Sequence, residues 1–282
     1  MNAIAIKGIS KRYPGFTLEP LDLCLPQGSI LGLVGENGAG KSTLIKLIMG
    51  AVRADGGSVS VLGVDNQSPD FGRIKQEVGI VLDEAYFPEA LTAARLGRVL
   101  AQTYDNWDPG CYEGYLHNLA LPVNKAFKDF SRGMKMKLAI AAALSHQPRL
   151  LILDEATSGL DPMVRDEILD VFNDFTRDEG HSILLSSHIV SDLEKICDYI
   201  AFLHQGRLHF CEEKDRLIEE YAILRLSQAD FQAIPEAAVR GVKQGDYGVE
   251  ALVLRSQVNR AIPREHTSLE DIILFLAKGE RK

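Results

Sequence analysis

The chain has few cysteines, no excess of basic residues and no long apolar run, and each absence argues against a class of protein. Its four cysteines lie far apart, without a CxxC pair or a histidine at metal-ligand spacing, so neither a disulfide framework nor a zinc site is expected. The formal net charge is −8, whereas a protein that binds duplex nucleic acid usually presents a basic face. Nucleic acid is therefore not an expected partner.

Segments that would place the chain in a membrane are also missing from the sequence. No stretch approaches the roughly 18 consecutive apolar residues that a spanning helix needs. The first residues, MNAIAIKGISKRYPG, contain neither the apolar segment nor the cleavage site of a secretory signal. We therefore expect a cytoplasmic protein, for which another chain would have to supply any membrane crossing.

The apolar residues that are present predict an α/β protein with one sizeable domain and a smaller one. Short strand-like runs alternate with helical patterns, which is typical of a parallel sheet covered by helices. These runs lie at 29–34, 150–153, 182–186 and 199–204. Helical periodicity dominates from 92 to 144, with breaks at Asp108-Pro109-Gly110 and Leu121-Pro122. We predict a first domain at 1–212 with a helical subdomain inserted at about 84–147.

A different pattern begins after residue 212. Runs at 223–226 and 248–254 have the composition of strands, and 268–277 has helical periodicity. Ser268 and Asp271 form a Ser-x-x-Asp capping box at the start of that helix. We predict a small separate α+β unit at 213–282, which could stabilise a dimer, regulate the first domain or cap its core.

A glycine-rich motif, GENGAGKST, follows the first buried strand and precedes a helical pattern. It matches G-x-x-x-x-G-K-[ST], in which backbone N–H groups surround a phosphate at a helix N-terminus. The lysine would reach the β- and γ-phosphates, and the serine hydroxyl would bind Mg²⁺. The alternative is a chance glycine-rich turn. The predicted ATP-binding residues are Gly35, Asn37, Gly38, Ala39, Gly40, Lys41, Ser42 and Thr43.

The sequence LDEA occurs twice, and either copy could supply the carboxylate that such a loop needs for its metal. In the second copy, four apolar residues lead to Asp154 and Glu155, as expected for the end of a buried parallel strand. Asp154 would then hold Mg²⁺ and Glu155 would accept a proton from the attacking water. The alternative is an exposed acidic strand end. The first copy contains Asp83 and follows another short strand.

The order of the motifs resembles that of the ATP-binding subunits of ABC transporters. The glycine-rich loop is followed by Phe130-Ser131-Arg132-Gly133-Met134 at the place of the family signature LSGGQ. ILDEATSGLDP and then Ser186-Ser187-His188 come next. The resemblance covers about residues 1–212. It implies a P-loop NTPase core with an N-terminal antiparallel β subdomain, an inserted α-helical subdomain and ATP hydrolysis.

The resemblance also implies roles for residues outside the glycine-rich loop. Ser131 and Gly133 would contact the nucleotide of a partner subunit in a head-to-tail dimer, and Asp161 belongs to the D-loop between the two sites. His188 would bind the γ-phosphate and orient the water together with Glu155. Tyr13 matches the aromatic residue that stacks on adenine. The catalytic residues would be Lys41, Glu155 and His188.

Two motifs depart from the family pattern. Asp83 stands where most members have the Q-loop glutamine, and a carboxylate cannot donate a hydrogen bond at neutral pH as an amide does. Asp83 could instead bind Mg²⁺ with Ser42 and Asp154. One hypothesis is that Asp83 lowers turnover or makes it depend more on the partner, and the alternative is a neutral variant. In the signature, Arg132 and Met134 replace a glycine and the glutamine.

The form of the signature, SRGMKMKL, is similar to that of bacterial ABC-2-type exporter subunits, including those linked to antibiotic resistance and cell-envelope stress. This implies a subunit on the cytoplasmic face of the membrane that powers export through separate permease subunits. The aromatic residues Tyr86 and Phe87 lie where the family docks a permease helix, or they pack inside the helical subdomain. A soluble ABC ATPase acting in translation or DNA repair is the alternative function.

Overall fold

A computed structural model describes residues 1–84, 86–245, 248–259, 262–264 and 267–278. The chain divides into two compact units, Met1–Cys211 and Glu212–Lys282. Across these described residues, none of the helices combines the length and the apolarity that a membrane span requires.

The strands that begin in the first unit belong to two sheets. They are β1 (Asn2–Tyr13), β2 (Phe16–Pro26), β3 (Ile30–Val34), β4 (Gly56–Val61), β5 (Val64–Asp65), β6 (Val78–Val81), β7 (Leu150–Asp154), β8 (Ser182–Ser187), β9 (Tyr199–His204) and β10 (Arg207–Glu213). The helices are α1 (Lys41–Ile48), α2 (Phe71–Ile74), α3 (Ala93–Leu100), α4 (Pro109–Asn118), α5 (Arg132–Leu144), α6 (Pro162–Phe175) and α7 (Val190–Ile196).

The larger sheet has the strand order β10-β9-β3-β8-β7-β6. The pairs β6–β7, β7–β8, β8–β3 and β3–β9 are parallel, so these five strands end at one edge of the sheet. Every residue of β3, β7 and β8 is buried, as expected for parallel strands covered on both faces. This confirms the predicted parallel sheet, and the carboxyl ends of its strands define where a site can form.

The smaller sheet is antiparallel and has the strand order β2-β1-β4-β5. Its apolar face shares one hydrophobic core with the parallel sheet. Ile4 and Leu25 from the antiparallel sheet, Leu31 from β3 and Leu44 from α1 all belong to this core and are fully buried. The shared core fixes the position of the antiparallel sheet relative to the start of α1.

Helices α3, α4 and α5 surround a second hydrophobic core, which includes Tyr112, Leu116 and Phe130. The break predicted at Asp108-Pro109-Gly110 is the start of a helix. Asp108 accepts a hydrogen bond from the Cys111 N–H at 2.9 Å, and Pro109 occupies the first turn of α4. Proline is tolerated there because the first N–H groups of a helix have no intrahelical acceptor.

The second unit contains α8 (Lys214–Glu220), β11 (Tyr221–Leu226), α9 (Gln228–Gln232), β12 (Val239–Gly245), β13 (Gly248–Leu254) and α10 (Leu269–Lys278). Its sheet is antiparallel in the order β11-β13-β12. The predicted capping box is present, because the Asp271 N–H donates to Ser268 Oγ at 3.1 Å and the Ser268 N–H donates to Asp271 Oδ2 at 3.2 Å. The predicted strands at 223–226 and 248–254 also form.

His146 is a fully buried histidine between α5 and β7. Its ring stacks on Tyr104 at a centroid distance of 4.0 Å, and its Nε2 lies 3.3 Å from the Val78 carbonyl oxygen. Burial lowers the pKa of His146 to about 4, because the charged form would lose its hydration.

Folding should therefore become less favourable as the pH falls from about 6.5 to about 4, because the unfolded chain takes up a proton that the folded chain excludes. The cost at pH 5 is about 2 kcal/mol. Urea titrations at pH 7.5 and pH 5 give the free energy of unfolding at each pH. We expect it to decrease less between these two values in His146→Gln than in the native chain. The exposed His117 offers a control, since His117→Gln should keep the native pH dependence. Equal slopes for both variants would contradict this role of His146.

Candidate active site

A cavity of about 520 Å³ opens at the carboxyl edge of the parallel sheet. The cavity is lined by the loop between β3 and α1, by Glu155 directly after β7 and by Asp83 after β6. Its lining residues are Gly15, Phe16, Glu36, Asn37, Gly38, Gly40, Lys41, Ser42, Thr43, Asp83 and Glu155. Most of the predicted ATP-binding residues therefore share one cavity with two of the predicted catalytic residues.

The glycines of the loop are required for different reasons. A Cβ atom on Gly35 would lie 2.3 Å from the Leu203 carbonyl oxygen, so this glycine lets the loop approach the end of β9. Gly40 has φ +110° and precedes α1, whose exposed N–H groups and dipole favour an anion. Gly38 lines the cavity with φ +83°, and a Cβ atom on it would meet no atom within 4 Å.

Lys41 is almost completely buried at the start of α1. Its Nζ donates to the Gly35 carbonyl oxygen at 2.6 Å and to that of Glu36 at 3.3 Å. The same ammonium lies 3.0 Å from Glu155 Oε1. Lys41 therefore bridges the loop and the acidic end of β7.

Glu155 has an unusual backbone conformation for a residue with a side chain. Its φ is +53°, in the left-handed region, which costs an L-residue about 1–2 kcal/mol. Its N–H bonds to the Ser186 carbonyl oxygen at 3.1 Å, and its Oε2 lies 2.7 Å from His188 Nδ1. The turn directs the carboxylate into the cavity between Lys41 and His188, and such local strain often accompanies a functional site.

Asp154 is the last residue of β7, and only 4% of its surface is exposed. Its Oδ1 accepts a hydrogen bond from Ser186 Oγ at 2.5 Å. Ser186 is a site residue that the sequence analysis missed. The motif Ser186-Ser187-His188 was visible, but the contact depends on the register that pairs Asp154 with Ser186 across β7 and β8.

The oxygen donors near the cavity fit Mg²⁺. Asp154 supplies a carboxylate, and Ser42 and Asp83 line the cavity itself. The described ranges contain no group of three or more His, Cys, Asp or Glu side chains arranged as a metal site. This donor set suits Mg²⁺, which usually binds one or two carboxylates together with substrate phosphates rather than a complete protein cage.

Seven residues predicted to contact the nucleotide lie outside this lining. They are Gly35 and Ala39 within the loop, His188 beside Glu155, and Ser131, Gly133, Asp161 and Tyr13. Ser131 accepts a hydrogen bond from the Met134 N–H at 3.3 Å and caps α5, while Asp161 accepts from the Val164 N–H at 3.1 Å and caps α6. Gly133 faces Val164, which a Cβ atom on Gly133 would approach to 3.4 Å. Tyr13 pairs with Phe16 across the β1–β2 hairpin, and Phe16 is the aromatic residue in the lining.

Taken together, a phosphate-binding loop after a buried parallel strand and a carboxylate pair on a nearby strand define a P-loop nucleotide hydrolase. An ABC transporter family model matches residues 18–158, half of the chain. A bacitracin transport ATP-binding protein of Enterococcus faecalis is 34% identical over 73% of this chain and 67% of its own length. A lantibiotic transport ATP-binding protein of Streptococcus pyogenes is 32% identical over 75% of this chain and 91% of its own length.

A solved structure has the same fold. It is a dimeric ATP-binding cassette in a post-hydrolysis state with ADP and phosphate, with a TM-score of 0.67 and 21% identity over 74% of this chain and 98% of that one. The chain therefore belongs to the ABC transporter family, and it is an ATP-binding subunit with ATPase activity.

Gly38 and Gly63 form a matched pair for testing the loop. Their φ values are +83° and +86°, and a Cβ atom on either would meet no atom within 4 Å. Each alanine variant should therefore lose about 1 kcal/mol of stability from backbone strain. Only Gly38→Ala should also weaken nucleotide binding, by roughly tenfold or more, because its backbone faces the cavity where a phosphate must approach closely. Urea unfolding and titration with a fluorescent ATP analogue measure the two effects, and equal affinities would contradict this use of Gly38.

Proposed function

We propose that this ATPase powers export across a bacterial membrane through separate permease subunits, acting as a head-to-tail dimer on the cytoplasmic face. The observation that carries the proposal is the placement of the Glu155 carboxylate between Lys41 and His188 beside the phosphate-binding loop. The transport names of the two relatives favour export over a soluble role in translation or DNA repair. Both names refer to peptide antibiotics, so the proposed cargo is an antimicrobial peptide or another drug that acts on the cell envelope.

The loop residues bind the triphosphate. The N–H groups around Gly38 and at the start of α1 contact the phosphate oxygens, and Lys41 binds the β- and γ-phosphates. Binding of the phosphates by Lys41 replaces one contact with another. Its ammonium leaves Glu155 Oε1 when it binds a phosphate oxygen. Ser42, Asp154 and Asp83 are the residues that hold Mg²⁺. When bound, the metal neutralises charge on the phosphates.

Glu155 acts as the general base that accepts a proton from the attacking water. His188 remains 2.7 Å from Glu155 and holds the carboxylate in place. With Nδ1 paired to Glu155, the Nε2 of His188 is the ring atom assigned to the γ-phosphate, so one ring would position both groups around the water.

The dimer completes each site in trans. Ser131 and Gly133 lie at the start of α5, outside the cavity lining of their own chain, and Asp161 lies at the start of α6. We assign Ser131, Gly133 and Asp161 to the nucleotide of the partner subunit. Tyr13 stacks on adenine, a role supported by its pairing with Phe16 at the cavity rim.

An apolar groove next to the site is the proposed docking surface for the permease. Ile80, Leu82 and Tyr86 are exposed hydrophobic residues on and after β6, and they line a cavity of about 250 Å³ with Leu100 and Tyr104. Such a groove suits a short helix with an apolar face. Phe87 has a second role, because its ring packs edge-on against Phe127 at 5.5 Å in the core of the helical subdomain.

Glu155→Gln should trap the ATP-bound dimer, because the amide keeps the shape of the side chain and removes the base. We expect hydrolysis to fall by about 10²–10⁴-fold while Mg-ATP binding persists. The tagged variant, expressed at its native level and purified in detergent with Mg-ATP, should form a dimer by light scattering and retain a polytopic membrane protein. Lys41→Ala, which removes a phosphate contact, is the control that should retain neither.

The outcomes of that experiment separate the two parts of the proposal. Hydrolysis by Glu155→Gln at the native rate would show that Glu155 is not the base. A trapped dimer that retains ribosomes, DNA or no other component would contradict the role in export and leave the ATPase assignment intact.

The carboxylate of Asp83 should lower the turnover of the isolated subunit. Asp83 lines the nucleotide cavity with Glu155, and its Oδ1 accepts a hydrogen bond from the Glu84 N–H at 2.9 Å. An added negative charge near a triphosphate is unfavourable unless a cation screens it. We expect Asp83→Gln to hydrolyse ATP severalfold faster at saturating Mg²⁺, because the amide removes the charge and can donate a hydrogen bond. At limiting Mg²⁺ the loss of a metal ligand should offset this gain. Asp83→Glu, which keeps the charge, is the control, and equal rates for all three proteins would remove the hypothesis.

A further inference from the structure

Ser186 is a fully buried serine whose hydroxyl makes two contacts at the acidic end of β7. Its Oγ donates to Asp154 Oδ1 at 2.5 Å, and it accepts a hydrogen bond from the Glu155 N–H at 3.2 Å. One side chain therefore binds the carboxylate assigned to the metal and the backbone of the residue assigned as the base.

The donation to Asp154 restricts how that carboxylate can turn. Asp154 is at the end of a buried strand, where few water molecules can replace a lost hydrogen bond. A hydroxyl fixed at Oδ1 leaves Oδ2 in a defined direction. Partners of this kind, which orient a metal ligand without touching the metal, commonly change metal affinity by 10–100-fold when they are removed.

The second contact acts on the backbone of Glu155. This residue has φ +53°, so its left-handed turn must be stabilised by its surroundings. The Ser186 carbonyl oxygen and Oγ both accept from the Glu155 N–H, at 3.1 and 3.2 Å. His188, two residues further along the chain from Ser186, contacts the Glu155 carboxylate. Ser186 thus lies at the junction of the three residues assigned to metal binding and hydrolysis.

We propose that Ser186 is a positioning residue that orients the Asp154 carboxylate for Mg²⁺ and holds the turn that directs Glu155 into the cavity. This inference rests on the proposed metal role of Asp154. It assigns Ser186 no contact with the nucleotide or the metal.

The strand β8 provides a matched control for the loss of a buried hydroxyl. Ser182 is also fully buried, and its Oγ accepts one hydrogen bond, from the Gly28 N–H at 3.0 Å. It lies at the opposite end of β8 from Ser186. Ser182→Ala therefore removes the same group from the same strand, far from Asp154.

The test measures Mn²⁺ binding in the presence of a saturating non-hydrolysable ATP analogue. The electron paramagnetic resonance signal of free Mn²⁺ gives the unbound fraction. Ser186→Ala should weaken Mn²⁺ binding by about tenfold. Its affinity for the analogue in EDTA should stay at the native value, because no contact to the phosphates is lost. Ser182→Ala should match the native protein in both measurements.

Asp154→Asn separates failure of this inference from failure of the proposed function. If Asp154→Asn binds Mn²⁺ as tightly as the native chain, the metal role of Asp154 is wrong. If Asp154→Asn weakens Mn²⁺ binding and Ser186→Ala does not, the positioning role of Ser186 is overturned.

Ser186→Cys covers the case in which the alanine variant fails to fold. It replaces the hydroxyl with a weak thiol donor on a slightly larger side chain, so it should also bind Mn²⁺ less tightly than Ser182→Ala.

Discussion

The parallel register of β7 and β8 is the constraint on which the acidic half of the site depends. It places Asp154 opposite Ser186 at the edge where both strands approach their carboxyl ends. The carbonyl oxygen and Oγ of Ser186 then accept from the Glu155 N–H and stabilise its left-handed turn. His188, which follows β8, contacts the Glu155 carboxylate. A shift of one residue between these strands would turn every side chain to the opposite face and separate the three groups.

The charges around the cavity favour cations in the nucleotide-bound state. Glu36, Asp83 and Glu155 are acidic residues in the described lining, while Lys41 is the basic one. A triphosphate brings further negative charge into a site where water screens poorly, so repulsion would oppose binding. Lys41 can offset part of this repulsion, but its charge is shared with Glu155, which lies 3.0 Å away. The remaining charge favours binding of a divalent cation together with the triphosphate, in line with the proposed Mg²⁺ site.

The sequence predicted the features that depend on short segments and could not predict those that depend on register. The glycine-rich loop, the acidic end of β7 and the capping box at Ser268 are local patterns, and the structure contains each of them. Ser186 and Phe16 were missed because their positions follow from strand pairings between distant or hairpin-linked segments. The predicted break at Pro109 does separate α3 from α4, but the sequence pattern does not indicate that Pro109 itself lies in the first turn of α4, where proline is tolerated.

The helices that follow the D-loop and His188 are tied together by ion pairs. Asp192 on α7 is buried, and its Oδ1 lies 3.6 Å from Arg165 Nε on α6; Lys195 and Asp166 form a second, exposed pair between the same helices at 2.9 Å. Breaking the first pair would leave a buried charge without its cation, which is far more costly than losing a surface pair. These pairs therefore link α6 to α7. In the proposed dimer, where Asp161 at the start of α6 is assigned to the nucleotide of the partner subunit, these pairs offer a physical route from that contact to α7 and the adjacent His188.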